Sequence, residues 1–143
     1  MYRICKTIEI ANAHLLSKNK RNCRFPHGHT RKIEVVLESP VLNENDMVCD
    51  FSDLKKIVNE IADEWDHALC INSEDPACKG AVECFLGRVR VFEKRDPTTE
   101  VMVEEFYKRL APRIPELGKD VRLRRVRIWE TSSSWAEYEE ETR

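Results

Sequence analysis

Cys23-Arg-Phe-Pro-His27-Gly-His29-Thr-Arg-Lys-Ile33-Glu-Val35-Val-Leu37-Glu38 reads as the end of a loop running into a β-strand. Side chains alternate along an extended chain, so His27, His29, Ile33, Val35 and Leu37 share one face. Lys32, Glu34 and Glu38 take the other. Both imidazoles therefore stand on the apolar face, at the strand's beginning, and the small Gly28 lets the backbone lie close to whatever they hold. Neutral imidazole is the commonest metal ligand, and two on one face suit zinc, which takes three or four N, S or O ligands. The Cys23 thiol, four residues upstream of His27, can fold back to the same point.

Residues 2–14 alternate in the same way. Tyr2, Ile4, Ile8, Ile10, Asn12 and His14 lie on one face, and Arg3, Thr7 and Glu9 on the other. A basic loop over 15–26, with Lys18, Lys20, Arg21 and Arg24, joins the two strands. Antiparallel pairing brings the end of the first beside the start of the second, and His14 beside His27 and His29. Three histidines and an open position form the pattern of a catalytic rather than a structural zinc.

Further along, Pro40 to Asn45 is a turn. Asp50 or Ser52 caps a helix over about 52–65, in which Leu54, Ile57, Val58, Ile61, Ala62 and Trp65 recur at helical spacing. A short helix over about 75–86 and a short strand Arg88–Phe92 follow. Pro97, with Thr98 or Thr99 as cap, opens a second long helix. Val103, Phe106 and Leu110 mark its buried stripe, and Pro112 and Pro115 end it. Strands over 120–130 and about 134–140 complete the order. In the first of these the apolar phase shifts between 121/123 and 126/128/130, which predicts a bulge at Arg124-Arg125. The expected architecture is α+β, an antiparallel sheet with helices packed on one face.

At 143 residues the chain is expected to form one domain over 1–143. With 35% charged residues and a net charge of -2, the balance gives no reason to expect nucleic acid or an anionic membrane as partner. No apolar run is long enough to span a membrane and the N-terminus lacks a signal-peptide core, so the expected location is the cytoplasm. The six cysteines show no C-x-x-C pair; five read as reduced, mostly buried thiols, with Cys23 the exception because of its neighbours.

The chain's four histidines are His14, His27, His29 and His67. Near a cationic metal the Cys23 thiol loses its proton more easily, giving the thiolate that base catalysis needs. Asp66-His67 has two readings: a helix end where a cationic His is favoured by the dipole, or an imidazole oriented by its carboxylate as a proton shuttle. Glu130 ends a strand whose inward face carries Val126 and Ile128. It either accepts two hydrogen bonds from a guanidine-like ligand edge or pairs with a neighbouring arginine. Arg122, Arg124, Arg125 and Arg127 read as a solvated, ion-paired face. The basic loop 18–24 is the better candidate for touching a phosphate.

These residues resemble the 6-pyruvoyl-tetrahydropterin synthase / 6-carboxy-tetrahydropterin synthase family. The match comprises Ala13-His14-x-Leu16, Cys23-x3-His27-Gly28-His29, Val48-Cys49-Asp50-Phe51-x2-Leu54-Lys55, Asp66-His67-Ala68-Leu69, Pro97-Thr98-Thr99-Glu100 and Glu130-Thr131, in order along nearly the whole chain. The resemblance implies the tunnelling fold. Each subunit gives a four-stranded antiparallel sheet backed by helices; three subunits close a barrel, and two barrels stack as a homohexamer.

It further implies that His14, His27 and His29 bind Zn2+, that Cys23 is the base, and that Asp66 and His67 relay protons. Glu130, with Thr98, would hold the pterin of 7,8-dihydroneopterin triphosphate. The three-residue gap between Cys23 and His27 is similar to the 6-carboxy branch of the queuosine and archaeosine precursor pathway. Its products are 6-carboxy-5,6,7,8-tetrahydropterin, acetaldehyde and triphosphate. The alternatives are triphosphate elimination to the 6-pyruvoyl product, or a zinc- and pterin-binding protein without turnover. The chain departs from the family at Ile10 (usually Phe), Asn12 (usually Ala), Thr30-Arg31 (usually Asn or Ser and an aromatic) and Val101 (commonly Asn), and in a longer segment 73–96.

Overall fold

The computed structural model describes residues 1–140. Strands β1 (Tyr2–His14) and β2 (His27–Ser39) form one long antiparallel hairpin, in register from Tyr2 opposite Ser39 to His14 opposite His27. β2 pairs on its other side with β5 (Arg122–Trp129), which pairs in turn with β6 (Trp135–Tyr138). Val36 lies opposite Arg125 and Leu37 opposite Leu123, so Arg124 is the extra residue. This is the predicted bulge. It lets both Leu123 and Val126 turn inward across an odd spacing.

The expected four antiparallel strands are thus present as β1-β2-β5-β6, but they are part of a six-stranded sheet in the order β4-β3-β1-β2-β5-β6. β3 (Leu69–Asn72) runs parallel to the end of β1, and β4 (Val89–Phe92) runs parallel to β3. The expected short helix between them is α2, trimmed to Cys78–Cys84. β3 went unseen because its Cys70, Ile71 and Asn72 are all buried, and a strand covered on both faces shows no alternation.

Helix α1 (Phe51–Trp65) begins where Asp50 Oδ1 accepts from the Ser52 amide at 2.6 Å. Helix α3 (Thr99–Leu110) begins at Thr98, whose Oγ1 accepts from the Val101 amide at 3.2 Å. Both lie on the face that carries Ile33, Val35, Leu37, Val126 and Ile128. The Trp65 ring meets Phe106 and Phe92 edge-on, with centroids 5.6 and 5.8 Å apart. Each buried side chain of this size contributes about 1.5–3 kcal/mol, so the helices are held by this layer rather than by their own propensity. The opposite sheet face carries ion pairs such as Arg127 to Glu137 at 2.8 Å and Arg125 to Glu137 at 2.9 Å, as expected for the arginine run. Among the described residues no helix is long and apolar enough to cross a membrane.

Candidate metal centre and the cavity beside it

The hairpin register carries the alternation of both strands to their open end. His14 faces His27, and His29 lies opposite Asn12, all on the helix-covered side. The ring centroids stand 4.5, 5.1 and 5.0 Å apart, and one ligating nitrogen from each ring lies within 4.8 Å of the others. Among the described residues this is the group of side chains that converges as a metal site would.

Backbone carbonyls orient two of the rings. Pro97 O lies 2.8 Å from His14 Nδ1, and Phe25 O lies 2.8 Å from His27 Nδ1. A carbonyl only accepts, so His27 Nδ1 carries the proton, as does His14 Nδ1 by the shorter of its two contacts (Arg31 Nη2 lies 3.3 Å from it), and both Nε2 atoms present lone pairs. Those two Nε2 atoms are 3.0 Å apart. Lone pairs at that distance repel unless a cation lies between them. His29 Nε2 is buried and makes no hydrogen bond. Burial, which the Pro97 contact only partly offsets, pulls the His14 pKa down to about 4, and burial with the Arg31 charge lowers His29 as well. Both rings are neutral at pH 7, the form that ligates. Orphaned nitrogen, fixed tautomers and facing lone pairs all fit a bound metal ion.

Glu130 lies just beyond β5, its amide donating to Ser134 O at 2.9 Å. Its Oε1 is 3.4 Å from both His14 Nε2 and His29 Nε2, and 3.9 Å from Arg31 Nη2. It therefore sits at the histidines and makes no ion pair with the arginines of its own strand. Arg31 was not anticipated as part of the site, although alternation puts position 31 on the same face as His29. It is fully buried, with Nε donating to Asn12 Oδ1 at 2.9 Å and Nη1 to Thr99 Oγ1 at 3.0 Å.

Cys23 lies in a 3-10 turn over Asn22–Arg24, half-buried, and its carbonyl accepts from the Leu16 amide at 2.8 Å, closing the neck of the loop. The thiol is outside the three-histidine group. Asp96, also missed in the sequence, anchors the same loop. It takes hydrogen bonds from Ser17 Oγ at 2.6 Å, the Lys18 amide at 2.7 Å and Asn72 Nδ2 at 2.9 Å. The four residues Asp96 to Thr99 thus hold the loop, orient His14, cap α3 and bind Arg31. Thr98 serves as the cap, with its hydroxyl proton still free to donate.

Asp66 and His67 follow α1. Asp66 Oδ1 accepts from the Ala11 amide at 2.8 Å, and its Oδ2 lies 3.0 Å from His67 Nδ1. Burial raises the Asp66 carboxyl, and the Ala11 amide with His67 more than reverses this, leaving it below the ordinary carboxylate value. His67 has φ 56°, a left-handed backbone uncommon outside glycine, held by its amide donating to Ala11 O at 2.7 Å. Its side chain is 78% exposed. It is not in the metal group, but it and His29 both line a cavity of about 670 Å3 whose floor is Ala11, Ala13 and Gly28. Gly28 belongs to that floor and faces away from the imidazoles. A Cβ there would meet only Asn12 O, at 3.5 Å, so close approach to a ligand of the histidines is not what it provides.

Residues 3–141 match the family described as 6-pyruvoyl tetrahydropterin synthase. The chain is 35% identical over 130 residues to the 6-carboxy-5,6,7,8-tetrahydropterin synthase of Aquifex aeolicus, covering 87% of this chain and 80% of that one. It is 30% identical over 147 residues to the enzyme of the same name from Haemophilus influenzae, covering 98% and 100%. Among solved structures, an uncharacterized protein of Wolinella succinogenes superposes with a TM-score of 0.82 at 25% identity over 98% of both chains. The 6-pyruvoyl tetrahydropterin synthase of Caenorhabditis elegans superposes at 0.71, with 21% identity over 98% of this chain and 96% of that one, a likeness of fold. The fold is the tunnelling fold that the motifs implied. The matched residues run from the first strand to beyond the last, and with them the chain belongs to the 6-pyruvoyl tetrahydropterin synthase family of pterin-forming enzymes.

Proposed function

We propose that this protein is a zinc-dependent lyase that converts 7,8-dihydroneopterin triphosphate to 6-carboxy-5,6,7,8-tetrahydropterin, acetaldehyde and triphosphate, as a step toward 7-deazapurines. The observation that carries this reading is the convergence of three imidazoles, one of which, His29, lines a cavity together with His67, in a chain whose relatives bear the 6-carboxy name. The short Cys23-x3-His27 spacing supports the same branch.

His14, His27 and His29 would hold the zinc, whose contribution is Lewis-acid polarisation of the substrate's side-chain hydroxyls. Cys23, on the loop beside β2, is the base that removes a proton from the side-chain carbon. His67, held by Asp66, passes protons at its free Nε2. Glu130 accepts from the 2-amino and N3 groups of the pterin ring, with the Thr98 hydroxyl as a further contact. The thiol reaches the site by movement of its loop or the active assembly completes the site. We favour a homohexamer, supported by two sheet edges: among the described residues β1 from Tyr2 to Ile10 has no strand on its outer side, and β6 has none beyond it.

The test is to incubate zinc-loaded protein with 7,8-dihydroneopterin triphosphate and identify the products by mass spectrometry. A 6-carboxy product with acetaldehyde is expected. A 6-pyruvoyl product would transfer the protein to the other branch, and no turnover by a zinc-loaded, reduced protein would replace the enzyme by a binding protein.

A further inference from the structure

We propose that Glu130 is itself a ligand of the metal centre while no substrate is bound, and that it leaves the metal to anchor the ring when substrate enters. The inference rests on the metal-centre reading above and goes beyond it by giving one carboxylate two successive partners.

The argument begins with spacing. In a tetrahedral zinc site with bonds of about 2.0–2.1 Å, neighbouring donor atoms lie roughly 3.3–3.4 Å apart. Glu130 Oε1 lies 3.4 Å from His14 Nε2 and 3.4 Å from His29 Nε2. These are distances between donors around a shared cation, longer than a direct hydrogen bond between the pair. The His14 tautomer points the same way. Its proton is on Nδ1, toward Pro97 O, so Nε2 turns a lone pair toward the anionic oxygen. His29 Nε2 is buried with no partner of its own. The His14 lone pair facing a carboxylate repels it, and a metal ion between them reverses the sign.

Arg31 explains why the carboxylate stays there. Its guanidinium is fully buried and fixed by Asn12 and Thr99, and its Nη2 is 3.9 Å from Oε1. An immobile cation behind the histidines draws Glu130 toward them from the far side. Arg31 is a positioning residue, since it is sealed from any substrate. Release is feasible because the Glu130 side chain is 32% exposed and hangs from a turn just past the end of β5. A pterin edge offers it two N–H donors, a bidentate match for a carboxylate, while a substrate hydroxyl takes its place at the metal.

Cobalt(II) reports this directly, because its visible absorption depends on the donor set. Wild type, Glu130→Ala and Glu130→Gln are loaded with Co2+ without substrate, and metal affinity is measured by competition with a chelator. The expected result is an altered visible spectrum in both variants and affinity lowered about 10–100-fold in Glu130→Ala. Adding 6-methylpterin, a ring without the reacting side chain, should shift the wild-type spectrum toward that of Glu130→Ala and leave the variant unchanged. Circular dichroism checks that each variant is folded, and Glu130→Gln keeps the side chain's shape if the Ala variant is not. Spectra and affinities that match wild type overturn the inference, and turnover by the zinc-loaded wild type then leaves the lyase reading intact. Failure of wild type to bind Co2+ or Zn2+ would overturn the metal centre and this inference together.

Discussion

Replacing Asp96 by Asn removes one charge and one acceptor from the clamp that holds the Cys23 loop. The carboxylate is 7% exposed and faces three donors: Ser17 Oγ and Asn72 Nδ2 at Oδ1, and the Lys18 amide at Oδ2. An amide offers one oxygen. If that oxygen takes the Oδ1 place, the new NH2 group is aimed at the Lys18 amide and a backbone donor is stranded. If it is flipped, Ser17 and Asn72 must turn away. Hydrogen bonds to a charged group contribute about 1.5–3 kcal/mol, so the substitution should cost about 1.5–3 kcal/mol at pH 7. Burial raises the Asp96 carboxyl, but the bonds from Ser17, Asn72 and Lys18 outweigh it and leave the folded value below the ordinary one. A carboxyl lowered by folding adds stability that is fully present above its unfolded pKa, about 3.9, and is lost as pH falls through the folded value. The gap between wild type and Asp96→Asn should therefore be constant from pH 6 to 8 (about two pH units of plateau) and shrink below about pH 4. Urea unfolding at fixed protomer concentration measures it. A gap under about 0.5 kcal/mol at pH 7, the size of an ordinary surface change, or one that does not shrink in acid, refutes the clamp.

Cys23→Ala should abolish turnover while zinc content, measured by atomic absorption, stays at the wild-type level; a loss of zinc would make the thiol a ligand instead. Arg31→Met strands Asn12 Oδ1 and Thr99 Oγ1 in the interior and should cost about 2–4 kcal/mol in urea unfolding. The double replacement Asn12→Ala/Arg31→Met removes both members of that pair and should cost less than the sum of Asn12→Ala and Arg31→Met, as a double-mutant cycle will read. Thr98→Ala loses the α3 cap and should lower stability by about 1 kcal/mol; a change below about 0.3 kcal/mol, within the usual additivity error, would mean that tertiary packing alone holds that helix end.

Patterns of local origin were legible from the residues alone. Alternation in 2–14 and 27–38 determined both long strands and which face His14, His27 and His29 occupy, because side-chain direction in a strand follows from backbone geometry. The spacing from Leu54 to Trp65 determined α1, and the phase shift around Arg124 determined the bulge. The three-histidine cluster followed from pairing two such strands. Other features depended on what packs across the chain. β3 is strand because it is sealed between β1 and β4, a fact absent from its four residues. The inward phase of Arg31 was written in the same alternation, yet a buried arginine is costly unless partners meet it. Those partners, Asn12 and Thr99, come from different elements. Asp96 likewise reads as a loop residue until Ser17, Lys18 and Asn72 surround it. The sequence by itself determined the strands other than β3, the helices and the face that carries the three histidines, since these follow from the periodicity of one chain. Only the tertiary structure decided the position of Glu130 at the histidines and the polar scaffold behind them, because buried charges take their places from partners distant in sequence.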